Sequence, residues 1–310
     1  MIRISNGTGK LGEQENPSVV NTMIDLTAGE AHPQKLSSTH SAAGNIKLQN
    51  VPAEVGHIYQ AIADEPRYKH FVRIPDRIIR CIDYFGIACD HVVTRTRLQA
   101  YYLFIGVVDD AIDSGQIGTG RLVLDYLSTP LPLFDEAVRR SRVRLITEIL
   151  KGQASDESYP PMVAKLQDLY EEVVSERAAT SIDSYIEHRK SVGALTAELS
   201  YVLVRPALLP ERGDQEALCQ FIKEVGAIGC LVDSLIDLRA DRRLGLLGFK
   251  PRISDYARLA VDILRDGLRL SLKHPSMAGL FLRAIADNVQ DRFRAGPRSA
   301  EPAVVSDRKA

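Results

Sequence analysis

Three aspartates, Asp109, Asp110 and Asp113, stand at the end of the apolar run in "FIGVVDDAIDSG". If residues 95–114 form a helix, Leu98, Tyr102, Ile105 and Asp109 share a face with Asp113, because positions three, four and seven apart align. Carboxylates at a helix C-terminus meet the negative end of the macrodipole, so this turn is unfavourable without a compensating cation. Asp109 and Asp113 suit a hard divalent ion: Mg²⁺ takes one or two carboxylates and completes its shell with water and substrate phosphate oxygens. The bland alternative is a solvated helix end.

A second stretch, "CLVDSLIDLRADRRLG", carries Asp233, Asp237 and Asp241 at i, i+4 and i+8, a slowly drifting stripe along one helix. Ile222, Gly226, Gly229 and Cys230 continue that face with small side chains. Two helical glycines cost about 1 kcal/mol each relative to Ala, so something gains from the cleared surface. Close helix packing and a cavity floor are the two readings. If the two helices are neighbours, their acidic stripes form a metal-lined mouth above an apolar hollow. That arrangement suits an amphiphilic anion such as a prenyl diphosphate.

The elements that must position these residues are helices. Between residue 49 and residue 295, apolar side chains recur at spacings of three and four, and strand-like alternation is hard to find. Helices are expected near 53–64, 75–90, 95–114, 119–128, 133–151, 160–190, 194–205, 214–243, 253–273 and 276–293. Pro75, Pro130, Pro132, Pro160, Pro161, Pro206, Pro210, Pro251 and Pro275 punctuate them. About ten helices without a fixed repeat predict an all-α globular bundle around a central cavity. Residues 1–48, rich in Ser, Thr, Asn and Gly, read as a disordered arm, and 296–310 as a disordered tail.

Composition excludes several classes. The 310 residues carry a net charge of -1, which gives no long-range field to attract nucleic acid or an anionic membrane, so a charged partner must be met locally. Trp is absent and aromatics total 6%, too few for a base-stacking surface. Cys81, Cys89, Cys219 and Cys230 lack zinc-site spacing and read as buried thiols of a reducing cytoplasm. No uninterrupted apolar run reaches about 18 residues, so no transmembrane segment is expected.

Together these motifs resemble the class I terpene synthases, an all-α family with D-D-x-x-D on one wall and a second metal motif opposite. "DDAID" matches the first motif in full. The second motif keeps the family spacing but not its residue types; its all-aspartate form looks more like the bacterial large-terpene group and the D-x-x-x-D of squalene and phytoene synthases. "SYIEHRKSVGALTAEL" is similar to the family's Tyr, Arg and Gly segment at a helix break. By that match Arg189 senses diphosphate, Gly193 is the backbone element that helps trigger ionisation, and Val192 is the linker between them.

The resemblance implies about three Mg²⁺ ions with bound diphosphate, held by Asp109, Asp110, Asp113, Asp233, Asp237 and Asp241. It implies ionisation of a linear prenyl diphosphate and cyclisation or rearrangement of the carbocation. A homodimer is an expectation taken from the family's habit. Tyr102 and Phe104 can offer ring faces to the cation, as can Tyr101, Tyr185 and Tyr201, at roughly 0.5 to 2 kcal/mol each. Lys69, Arg73, Arg95 and Arg97 are candidates for a basic rim.

Two departures stand out. Asp233 to Asp241 spans about 12 Å of helix rise, so Asp241 acts directly, through water, or by pairing with Arg242 or Arg243. The family's C-terminal Arg-Tyr pair is replaced by "DRFR", where Arg292 is the candidate diphosphate donor. The nearest rival is a prenyl-diphosphate-condensing synthase of the same fold. An all-α nucleotide pyrophosphohydrolase using Glu171, Glu172 and Glu176 is more distant, and a non-catalytic helical interaction protein is the remaining option. Di-iron chemistry needs a pair of Glu-x-x-His motifs, and the chain has that spacing only at Glu54 and His57.

Overall fold

A computed structural model describes residues 48, 51–116, 118–209, 213–243 and 245–295, apart from the side chains of 288, 289 and 291–295. The arm and tail expected from composition lie outside these residues, except for Leu48. The described chain forms eleven α-helices and three short 3₁₀ turns. Its one β-like feature is an isolated bridge between Cys89 and Leu208. No described helix is long and apolar enough to cross a membrane.

The helices in chain order are α1 (Ala53–Ala63), α2 (Lys69–Tyr84), α3 (His91–Asp113), α4 (Thr119–Tyr126), α5 (Glu136–Arg140) and α6 (Arg142–Gln153). They continue as α7 (Tyr159–Arg177), α8 (Ile182–Val204), α9 (Gln215–Arg243), α10 (Ile253–Lys273) and α11 (Ala278–Ala295). The 3₁₀ turns are Pro66–Tyr68, Arg205–Ala207 and Pro275–Met277. Helix α8 packs along α9 on one side and against α7 on the other; α3 packs on α2, α6 and α8. One large apolar core runs through these helices, and a smaller one around Tyr185, Leu231 and Leu259 seats α10.

Both acidic stripes end where local chemistry stops a helix. Asp90 starts α3 by accepting from the Val92 and Val93 amides. Gly115, at φ 90°, stops it two residues beyond Asp113. The Asp214 side chain caps the Ala217 amide at the start of α9, and Gly245, at φ 72°, turns the chain after Arg243. Asp110 and Asp113 on α3 and Asp241 on α9 therefore stand in the last turn of a helix, the electrostatically costly place for them, while Asp233 and Asp237 lie further up α9.

Three expected boundaries are corrected. Helix α2 begins at Lys69 and runs through Pro75, which lacks the amide that would bond Phe71. Burial of Ile78, Ile79 and Ile82, at roughly 1.5 to 3 kcal/mol each, outweighs a proline penalty of about 3 kcal/mol. The segment expected at 133–151 divides at Ser141, whose hydroxyl caps α6 at the Arg144 amide. The helix break expected near Gly193 falls instead between Arg177 and Ile182, where Ser181 caps α8 at the Ser184 amide. Helix α8 is continuous through Arg189, Val192 and Gly193.

Candidate functional site

A cavity of about 430 Å³ lies between α3 and α9, with α2, α4, α7, α8 and α11 also contributing to its wall. Asp109 and Asp113 line it from α3, and Asp233, Asp237 and Asp241 from α9. Arg189 and Gly193 line it from α8, and Tyr102 and Phe104 from α3. Along α9 the apolar Phe221 precedes Asp233 by twelve residues, about 18 Å of helix rise, so the hollow has a carboxylate end and a hydrocarbon end.

Cys230 marks where the two acidic ends meet. Its thiol is pushed up to about 12, first by burial, against the pull of Arg189, and further by Asp233, Glu176 and Asp109. A single side chain on α9 thus feels a carboxylate of its own helix and one of α3. Arg189 is held by two side chains. Its Nε donates to the Ser234 hydroxyl at 2.8 Å, and its Nη1 lies 3.2 Å from a Glu176 carboxylate oxygen. Burial opposes its charge, but Cys230, Glu176, Tyr185 and Asp109 outweigh that and raise its pKa well above the ordinary guanidinium value. It is a fixed cation, 25% exposed, on the cavity wall.

The α9 glycines divide between the two roles that their spacing left open. A Cβ on Gly226 would stand 2.4 Å from the Gly193 carbonyl oxygen and 2.5 Å from the Ala197 Cβ. A Cβ on Gly193 would stand 2.3 Å from the Gly226 carbonyl oxygen, so this pair lets α8 and α9 touch backbone to backbone. A Cβ on Gly229 would meet nothing within 4 Å, and Gly229 lines the cavity. On α3, Gly106 makes room for the Phe71 ring, which would lie 2.6 Å from an added Cβ.

Asp110 points elsewhere. It accepts from Arg67 Nη1 at 2.9 Å and from the Tyr68 hydroxyl at 3.1 Å, and it is not among the lining residues. The Tyr68 hydroxyl is pushed up to about 12, by burial first and then by Asp110. Arg242 is exposed and does not line the cavity, and the side chain of Arg292 lies outside the described residues. Tyr101 is fully buried with its hydroxyl on the Thr196 carbonyl, while Tyr185 bonds Ser234; neither lines the cavity. Arg95 pairs with Asp76, and Arg97 donates to the Leu203 carbonyl. Lys69, Arg73, Arg95 and Arg97 line no part of the hollow.

Sequence reasoning missed His70, Phe71, Glu176 and Arg177 as lining residues. The Gly106 gap was a legible hint of a ring packed on α3, but nothing local in the chain identified that ring as Phe71.

The aspartates at the acidic end offer hard carboxylate oxygens, the type that Mg²⁺ prefers. Among the described residues, no three His, Cys, Asp or Glu side chains are gathered into a ready-made metal cage. Carboxylates spread over two walls fit an ion that takes few protein ligands and fills the rest of its shell with water and phosphate oxygens.

No protein-family model matches this chain, and comparison with curated proteins and with solved structures returns no significant match.

Proposed function

We propose that the protein is a class I terpene synthase that binds a linear prenyl diphosphate in this cavity, releases diphosphate and guides the resulting carbocation. One observation carries the reading: a single hollow takes Asp109 and Asp113 of α3, the three aspartates of α9 and Arg189 at one end and apolar side chains at the other. An amphiphilic anion is complementary to both ends at once.

Asp109, Asp113, Asp233 and Asp237 would hold Mg²⁺, with Asp241 one turn further along α9. Bound there, the ion would neutralise charge developing on the diphosphate leaving group. Arg189 presents a guanidinium already oriented by Ser234 and Glu176, so little reorganisation is needed to meet the same charge. The walls of Ile74, Val108, Leu166 and Phe221 exclude water from a cation that would otherwise be quenched. Tyr102 and Phe104 offer ring faces at roughly 0.5 to 2 kcal/mol each.

The carboxylates of the pyrophosphohydrolase alternative are engaged otherwise. Glu171 accepts from Gln167, Glu172 pairs with His188 and Glu176 with Arg189. Of the three, only Glu176 lines the cavity.

The test is incubation of the purified protein with geranyl, farnesyl and geranylgeranyl diphosphates and Mg²⁺, with separation of hydrocarbons, alcohols and diphosphates. The expected result is hydrocarbon or terpene alcohol with released diphosphate, abolished by a chelator and by Asp233→Asn. A longer prenyl diphosphate instead would favour a condensing synthase. Magnesium-dependent turnover of none of the three substrates would falsify the proposal.

A further inference from the structure

Helix α10 is apolar on two sides. Leu259 and Leu270 are buried against the body of the protein. On the opposite side Val261, Leu264, Leu268 and Leu272 are between 54% and 74% exposed, and Ile253 is 90% exposed. Positions 261, 264, 268 and 272 fall on one stripe at helical spacing.

The charges of the helix are sorted as well. Every exposed charged side chain on it is basic: Arg258, Arg265, Arg269 and Lys273. Its acids are turned inward or serve the fold. Asp262 is 2% exposed, Asp266 pairs with Lys190, and Asp255 caps the Arg252 amide. Lys250 and Arg252, just before the helix, are also exposed.

We propose that this face of α10 is a docking surface for an anionic lipid bilayer. A helix with leucines on one stripe and arginine or lysine beside it lies in the plane of a membrane interface, its apolar side chains among the acyl chains and its cations at the headgroups. Arg258 pairs with Asp183, which is 71% exposed, and such a surface pair exchanges readily for lipid phosphate, while Arg265 stays on the buried Asp262 and on Asp266. With a net charge of -1 the molecule has no overall attraction to anions, so binding must come from a local array such as this one.

Area separates the lipid from a second copy of the chain. From Ile253 to Leu272 the stripe is about 30 Å long and about 10 Å wide, roughly 300 Å². A stable protein interface takes about 800 Å² from each partner. A bilayer sets no such threshold, because its surface deforms around whatever apolar area is offered. This inference stands on α10 alone and is independent of the cavity's chemistry.

The test is co-sedimentation of the full chain with vesicles of phosphatidylcholine, and of phosphatidylcholine with phosphatidylserine at roughly three to one. The protein should pellet with the anionic vesicles and less so as salt is raised. Leu264→Ser with Leu268→Ser should weaken binding about tenfold or more, and Arg269→Gln roughly fivefold. These side chains are exposed, so the variants should keep the wild-type circular dichroism and melting transition. No sedimentation with the anionic vesicles, or equal binding by the double leucine variant, overturns the proposal. A wild-type dimer that becomes monomeric in that variant, without vesicle binding, assigns the face to a second copy instead.

Discussion

Arg189 on α8 donates through Nε to the Ser234 hydroxyl on α9 at 2.8 Å, and the Tyr185 hydroxyl donates to the same oxygen at 3.1 Å. Ser234 in turn donates to the Cys230 carbonyl, so one hydroxyl fixes a cation, a phenol and a helix turn. Ser234→Ala leaves both donors without that acceptor. A loss of about 1 to 3 kcal/mol in urea unfolding is expected, together with weaker Mg²⁺-dependent binding of inorganic diphosphate. Ser234→Thr, which keeps the hydroxyl, should restore most of both.

The glycines of α9 make opposite predictions three residues apart. Gly226→Ala drives a methyl group into the Gly193 carbonyl and Ala197, forcing α8 and α9 apart at a cost of about 1 to 3 kcal/mol or more. Gly229→Ala meets open space and gains up to about 1 kcal/mol of helix propensity. Thermal melts should rank Gly229→Ala at or above the wild type and Gly226→Ala well below it. A tolerated Gly226→Ala would show that the two helices are not in backbone contact.

Asp109 and Asp110 are neighbours with different surroundings. Asp109→Asn should lower Mg²⁺-dependent affinity for inorganic diphosphate by about tenfold or more, measured by titration calorimetry. Asp110 must release Arg67 and Tyr68 before it can reach an ion in the hollow. Asp110→Asn should therefore affect affinity less, and its stability change should stay within about 1 kcal/mol, because the Arg67 pair is half exposed. A larger binding loss for Asp110→Asn than for Asp109→Asn would show that the Arg67 pair opens when the ligand binds.

Helix α6 holds a buried ion pair. Lys151 Nζ lies 2.8 Å from Glu148, the two side chains being 1% and 2% exposed. Lys151 also donates to the Tyr126 carbonyl, and Glu148 accepts from the Leu133 amide, so the pair secures the loop between α4 and α5. Lys151→Met strands a carboxylate and should cost about 3 to 5 kcal/mol by chemical denaturation. Adding Glu148→Leu should recover part of that loss but not all of it, since the Leu133 amide remains unmatched.

Alkaline pH should loosen the fold. Burial lifts the Cys81 thiol from 9.0 to about 12, and the Cys230 thiol rises to about 12 as well. Their contribution is fully present below the unfolded value near 9.0 and is lost as pH rises from there through about 12. Denaturation midpoints should hold up to about pH 8.5 and fall steadily above it. At pH 8 both residues should resist alkylation by iodoacetamide in the folded protein and react once it is unfolded. Rapid labelling of Cys81 in the native state would contradict its burial.

Helix type and the membership of the two acidic stripes were legible in the chain because both follow from spacing alone. Asp109 and Asp113, one turn apart, have to share a face of any helix that contains them, and the same holds for Asp233 and Asp237. What spacing cannot carry is the choice between two uses of one small residue. Gly226 and Gly229 look alike in the chain, and only the approach of Gly193 tells them apart. Pro75 reads as a boundary because its local penalty is visible, whereas the apolar burial that overrides it is tertiary. The partner of Arg189 was hidden for the same reason: Glu176 lies on another helix, beyond the break at Ser181. Cys89, Cys219 and Cys230 are only partly buried, less than their apolar neighbourhoods predict, while Cys81 is buried as expected.

The Gly193 and Gly226 contact makes α8 and α9 a single stiff beam, since neither can roll without driving its backbone into the other. The opposite wall is built differently: the Phe71 ring fills the Gly106 notch of α3, so a side chain rather than a second backbone lies against that helix.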